Sequence, residues 1–216
     1  MTKSMQKNGL LLAIFAVICT GLVAITHTLT KDRIAAQQQS ELQKSITDVV
    51  SKDLYNNNLF DDCISVTSPE FLGNDQIKQV YRGRVNGEPA VLAIESTAPN
   101  GYSGSIELLT GFNINNEITG VRVINHKETP GLGDKVEIKK SDWITSFNGL
   151  KVEGEDDTRW AVRKDGGMFD QFTGATITPR AVVTAVKNTA LYYQNNKKAL
   201  FAPTQQNCRG ELNERD

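Results

Sequence analysis

Apolar positions follow two different rhythms along this chain. Residues 9–29 carry no acidic or basic side chain apart from His27, and residues 10–18 are continuously apolar. At 1.5 Å of rise per residue, about 20 residues cross roughly 30 Å of hydrocarbon. The pattern therefore predicts a transmembrane helix over 9–29, preceded by a short tail at 1–8. The run continues through Gly21-Leu22-Val23-Ala24-Ile25. That is long for the core of a cleaved signal peptide, so a retained anchor is expected. Ala16-Val17-Ile18 lacks the small residue that precedes a lipidated cysteine, and Cys19 reads as a membrane-buried thiol.

Beyond the anchor the chain turns polar and helix-forming. Ile34, Leu42, Ile46, Val49 and Val50 make a partial helical stripe. This predicts a stalk helix and linker over 30–58, broken at Tyr55-Asn56-Asn57-Asn58. Period-2 segments follow. Residues 80–85 and 90–95 flank Asn86-Gly87, a hairpin pair in which both residues tolerate positive φ. Residues 105–109 and 118–124 form a second candidate pair around Asn113-Ile114-Asn115-Asn116, and residues 160–162 suggest a short strand. Ser141 is placed to cap a short helix that ends at Asn148-Gly149, and Thr178 to cap a longer one with Pro179 at its first position. The fold class is α+β: a twisted antiparallel sheet with flanking helices over 59–202, then a polar, flexible tail at 203–216.

Composition narrows the chemistry. Hydrophobic residues make up 39% and charged residues 23% of the 216 positions, as in a folded domain rather than a disordered one. A net charge of -1 with no basic stripe argues against a nucleic-acid partner. Two histidines and three scattered cysteines show no paired spacing for zinc or an iron–sulfur cluster, so no metal site is expected. A redox centre here would be organic or belong to a partner. Lys3 and Lys7 precede the anchor, and Lys31 and Arg33, with Asp32 between them, follow it; this charge balance barely discriminates orientation. A short N-terminal tail normally stays inside, which puts the large domain in the periplasm. Cys63 and Cys208 would then share an oxidising compartment, where they could pair or remain two thiols.

One segment carries the most specific chemistry. Asp170-Gln171-Phe172-Thr173-Gly174-Ala175-Thr176 runs directly into Ile177-Thr178-Pro179. It resembles the Asp-x-x-(Ser/Thr)-Gly-Ala-Thr acceptor at which bacterial flavin transferases attach FMN, through a phosphoester, to the last threonine. That resemblance makes Thr176 the flavin-bearing residue and Asp170, Thr173, Gly174 and Ala175 its recognition setting. A threonine hydroxyl is a poor nucleophile without a base or metal, and none adjoins it in sequence, so a separate enzyme must make the bond. A phosphate there would lie at the start of the following helix, where free N–H groups and the helix dipole favour an anion.

Glu128-Thr129-Pro130-Gly131-Leu132-Gly133-Asp134 predicts a tight loop with exposed backbone N–H groups. Paired with the threonine segment it is the candidate flavin cradle, with Glu128, Thr129, Gly131 and Leu132 as contacts. Tyr102 could lie against the flavin ring, although a buried hairpin tyrosine is the ordinary expectation. Lys164 and Lys135 could face phosphate or ring, or simply be solvated. His126 reads as an exposed loop histidine, and Trp143 and Trp160 as core.

With these residues in view, the chain resembles the RnfG family, the G component of the Rnf (Rsx) electron-transport complex, over nearly its whole length. The matching features are the anchor, Ala98-Pro99-Asn100-Gly101-Tyr102-Ser103-Gly104, residues 126–134, Ser141-Asp142-Trp143-Ile144, and Asp165-Gly166-Gly167 leading into 170–179. The resemblance implies covalent FMN on Thr176 at the periplasmic face of an inner-membrane complex. Electron exchange linked to ferredoxin or NAD would drive ion translocation there, with other Rnf subunits, a maturing flavin transferase and membrane lipid as partners. The acceptor segment also occurs in the C component of the sodium-translocating NADH:quinone reductase. A non-redox, membrane-anchored assembly module, with the threonines as a mere cap, is the reading from a different class.

Overall fold

A computed structural model of the chain describes residues 2–203, so Cys208, whether paired with Cys63 or a thiol, and nearly all of the 203–216 tail fall outside the described residues. The chain divides into two compact units, Met1–Gln43 and Lys44–Asp216.

The first unit is helical. Helix α1 (Thr2–Val49) includes the one stretch among the described residues long and apolar enough to cross a membrane. Its large apolar side chains from Leu10 to Leu29 are exposed, as a helix solvated by lipid requires. Thr20, Thr26, Thr28 and Thr30 each return their hydroxyl to the carbonyl four residues back, which satisfies these polar groups without leaving the helix.

The second unit is a five-stranded meander. Strands β1 (Cys63–Val66), β2 (Lys78–Val85), β3 (Glu88–Gly101), β4 (Gly104–Asn113) and β5 (Ile118–Asn125) lie in sequence order, each antiparallel to the next. Asn86 (φ 54) and Gly87 (φ 89) form the predicted two-residue turn between β2 and β3. Alternation along the strands divides the side chains between two faces. Leu92, Ile94, Leu108 and Phe112 pack with Val182, Val186 and Tyr193 of helix α3 (Ile177–Leu200) in the main core. Tyr193 stacks on Phe112 at 4.8 Å between centroids and donates its hydroxyl to the Asn113 carbonyl at 3.0 Å.

The opposite face is closed by the C-terminal end of α1 and the segment after it. Ile46, Val49, Val50 and Leu59 are buried there, each apolar side chain contributing about 1.5–3 kcal/mol when fully removed from water. Gly111 and Gly120 are cross-strand partners, and a β-carbon on either would meet the Val49 backbone, at 2.5 Å and 2.9 Å. Thr119 donates its hydroxyl to the Val49 carbonyl at 2.6 Å, and Asp48 pairs with Arg122 at 3.5 Å.

Several sequence expectations change. Strand β1 and the short helix α2 (Pro69–Leu72) were not predicted. Residues 160–162 form no strand. Val162 makes one isolated bridge to Phe169, because the chain reverses at once through Gly166 (φ 87) and bonds back on itself. The cap of α3 is Thr176, not Thr178; the helix begins two residues earlier than Pro179 suggests. Proline lacks only an N–H that has no partner in the first turn, so it is tolerated at the third helical position as well as the first.

Candidate functional site

Three loops meet at one end of the sheet: the β3–β4 tip, the segment 126–134, and the segment 170–178. Their junction is the Glu128 carboxylate, which is 5% exposed. Its Oε1 accepts from the Ser103 backbone N–H at 3.1 Å, and its Oε2 accepts from the Thr178 hydroxyl at 2.6 Å. Gly133 and Gly101 press against this carboxylate: a β-carbon on Gly133 would stand 2.6 Å from Oε2, and one on Gly101 2.9 Å from Oε1. Glycine at both positions is what lets the loops close on a buried charge.

His126 is mostly buried, with 10% of its side chain exposed, and not the exposed residue that its polar neighbours suggested. Its Nδ1 accepts from the Glu128 backbone N–H at 3.0 Å, so the ring proton sits on Nε2, which faces Glu137 Oε1 at 2.5 Å. The ring thereby ties the start of the loop to the segment after the 3-10 helix Gly133–Val136. Within the loop, the Thr129 carbonyl accepts from Leu132 and Gly133 N–H, both at 3.1 Å, and Gly131 takes φ 79. The turn leaves Thr129, Gly131 and Leu132 on the surface.

The threonine segment is anchored from beneath. Trp143, a core residue as its sequence setting predicts, is buried in the 3-10 helix Asp142–Phe147, whose cap Ser141 accepts from Trp143 N–H at 3.2 Å. Its indole Nε1–H donates to the Asp170 carbonyl at 2.7 Å, and Phe172 packs edge-on against the ring at 5.1 Å. Trp160 is also core. Residues 172–175 then form a turn, with Ala175 N–H bonded to the Phe172 carbonyl at 3.1 Å and Gly174 at φ 80. Thr173 is exposed at the tip and Thr176 is half-buried at the helix start. A β-carbon on Gly174 would lie 3.9 Å from Leu132 Cδ2, which places the two loops side by side.

Thr176 makes no side-chain cap bond, and the first turn of α3 holds no acidic residue. A free hydroxyl therefore sits beside unpartnered N–H groups at the positive end of a 24-residue helix. This donor set fits a phosphate. Three other expected residues are exposed. The Asp170 carboxylate turns outward to Arg163 at 3.1 Å. Lys164 is exposed on the 3-10 helix Arg163–Asp165, which Asp165 pins to α3 through Arg180 at 2.6 and 2.9 Å. The Arg180 guanidinium holds the Asp165 carboxyl below its ordinary range. Tyr102 is 68% exposed at the hairpin tip, where the sequence suggested burial; Gly101 and Gly104 flank the tip and carry no side chain to cover it. A separate cleft of about 380 Å³ opens beyond Ile177 between α2, the end of β3 and α3, lined by Phe71, Asn100 and Arg180 among others.

Residues 1–49 match the family described as RnfG N-terminal region, and residues 101–190 match FMN-binding domain. The chain is 50% identical over 212 residues to the G component of the ion-translocating oxidoreductase complex of Pseudoalteromonas atlantica, covering 98% of each chain. It is 51% identical over 211 residues to that of Vibrio atlanticus, covering 98% of this chain and all of the relative. The chain belongs to the RnfG family of ion-translocating oxidoreductase complexes. As a member of that family it carries an FMN-binding domain, and the matched span opens at the β3–β4 tip and closes within α3. All three converging loops lie inside it. The residues that sequence reasoning missed are Ser103, Gly133, Thr178 and Trp143 in its anchoring role. Gly133 and Ser103 sat inside motifs already singled out, whereas nothing local marks the long-range bonds of Thr178 and Trp143.

Proposed function

We propose that the chain is the flavin-bearing electron-transfer member of a membrane complex that couples ferredoxin- or NAD-linked electron transfer to ion translocation. FMN is joined to Thr176 through a phosphoester. The observation that carries this reading is the state of the Thr176 hydroxyl: uncapped, half-exposed, and held between a glycine turn and the start of α3. Among the described residues no base bonds that hydroxyl, which supports attachment by a separate flavin transferase.

FMN supplies the redox chemistry; the protein supplies its place and surroundings. The helix start receives the phosphate, while Tyr102, Thr129, Gly131 and Leu132 offer surface for the ring. Thr173, Gly174 and Ala175 present the acceptor, with Asp170 and Lys164 at its margin. A relay cofactor must not depart between electron arrivals, and a covalent bond removes dissociation. Residues 9–29 anchor the chain in the inner membrane by a single pass, with the tail 1–8 cytoplasmic, residues 30–58 as stalk and linker, and the domain 59–202 periplasmic. Partners are the other subunits of the complex and the surrounding lipid. Full-length identity with RnfG relatives favours this assembly over the quinone reductase.

The test is direct. The full chain is co-expressed with a flavin transferase and run on a denaturing gel under ultraviolet light. A fluorescent band is expected in the parent and in Thr173→Ser, which keeps the acceptor pattern, and none in Thr176→Ala. A dark parent band despite a competent transferase overturns the proposal.

A further inference from the structure

The Glu128 carboxylate sits among the candidate cofactor residues, yet its geometry points inward. Each oxygen is occupied by a donor from a different loop: Ser103 N–H next to Tyr102, and the Thr178 hydroxyl two residues beyond Thr176. Gly101 and Gly133 crowd the same two oxygens. Its own N–H is held by His126. The surfaces that would meet a flavin, namely Tyr102, Leu132 and Thr176, therefore hang from three loops whose shared tie is this one buried group.

We infer that Glu128 is a positioning residue: it does not touch the flavin but fixes the relative placement of the three loops that do. This rests on the flavin attachment proposed above. Each oxygen takes one donor, and a buried acceptor left without its donor is costly. Breaking one tie should release one loop and leave the acceptor sequence intact. A supporting group of this kind decides whether a site is held in register or sits loosely.

Two variants separate positioning from direct contact. Thr178→Val removes one donor at nearly constant shape and leaves the charge. Glu128→Gln removes the charge, while its amide can still accept from Ser103 and donate to the Thr178 oxygen. Each full-length chain is co-expressed with a flavin transferase, and Thr178→Ser serves as the conservative control. In-gel fluorescence reads attachment, iodide quenching reads access to the ring, and redox titration reads the midpoint potential. Positioning predicts a quenching constant raised roughly twofold or more in Thr178→Val, with a shifted potential, and near-parental values in Thr178→Ser and Glu128→Gln. A large shift in Glu128→Gln with Thr178→Val unchanged would mean that the carboxylate acts on the ring directly, and would overturn the inference. So would parental values in every variant.

A parent without fluorescence would remove the attachment reading and leave this tie to be judged by hydrogen exchange in the unmodified chain. There Thr178→Val should lower protection at 101–104 and 176–180 together. Unchanged protection would refute the tie on its own.

Discussion

The indole Nε1–H of Trp143 donates to the carbonyl of Asp170 at 2.7 Å, joining residues 27 positions apart in sequence. Through this bond a side chain in the core carries the first residue of the acceptor segment, and Phe172 packs on the same ring. The acceptor is thus braced at its entrance by Trp143 and just past its exit by the Thr178–Glu128 bond.

Trp143→Phe keeps most of the ring volume and removes that donor. Loss of one hydrogen bond is expected to cost about 1 kcal/mol. The carbonyl it frees belongs to an exposed residue and can turn to water. Urea unfolding should show the lower midpoint with an unchanged slope, and hydrogen exchange at 171–175 should quicken.

Gly174→Ala tests conformation alone. The position has φ 80, and the nearest atom to an added β-carbon is 3.9 Å away, so there is room but an unfavourable backbone. The cost should be about 1–2 kcal/mol. Thermal unfolding should fall by about 2–4 °C for each kcal/mol in a domain of this size. Gly174→Asn should lose less, because asparagine enters the left-handed region more readily.

Gly111→Ala and Gly120→Ala test space alone. Neither glycine has positive φ, but each added carbon would run into Val49 backbone. Each substitution is expected to destabilise the domain by about 1–3 kcal/mol, as overpacking does. Chemical denaturation of both should also show Thr119→Val to be milder, since it removes only the hydroxyl bond to Val49.

Acid should weaken the loop 153–159 through Asp157. Its carboxyl is held well below the usual range by the Arg159 side chain, helped by the backbone N–H groups of Glu153 and Arg159. A depressed folded-state value means that the contribution is complete above the unfolded value of about 3.9, and is lost as pH falls through the folded one. Urea stability of the parent should therefore decline below about pH 4 more steeply than that of Asp157→Asn. Parallel pH profiles would count against the assignment.

Local chemistry makes much of this architecture readable from the sequence. Asn86-Gly87 marks its hairpin because the two residues accept positive φ, and Ser141 announces its helix because a hydroxyl suits the cap. The start of α3 misleads for a physical reason. The residue before a proline is biased away from helix, so Thr178 looks like a boundary. Its hydroxyl is instead taken by Glu128, 50 residues earlier, and the helix starts at Ile177. Bonds across such separations leave no local trace. His126 and Tyr102 fail in opposite directions for the same cause: exposure depends on which distant segments fold over a side chain. Four-residue β1 is too short to display a period.

The seat of Val49 against Gly111 and Gly120 is an interface made by omission. Nothing can be added to either glycine to strengthen it, because its fit consists of atoms that are not there. Evolution can ornament the rim through Thr119 or Arg122, but at the two bare positions every change to a side chain pushes the same way, prising apart the helix end and the strands that receive it.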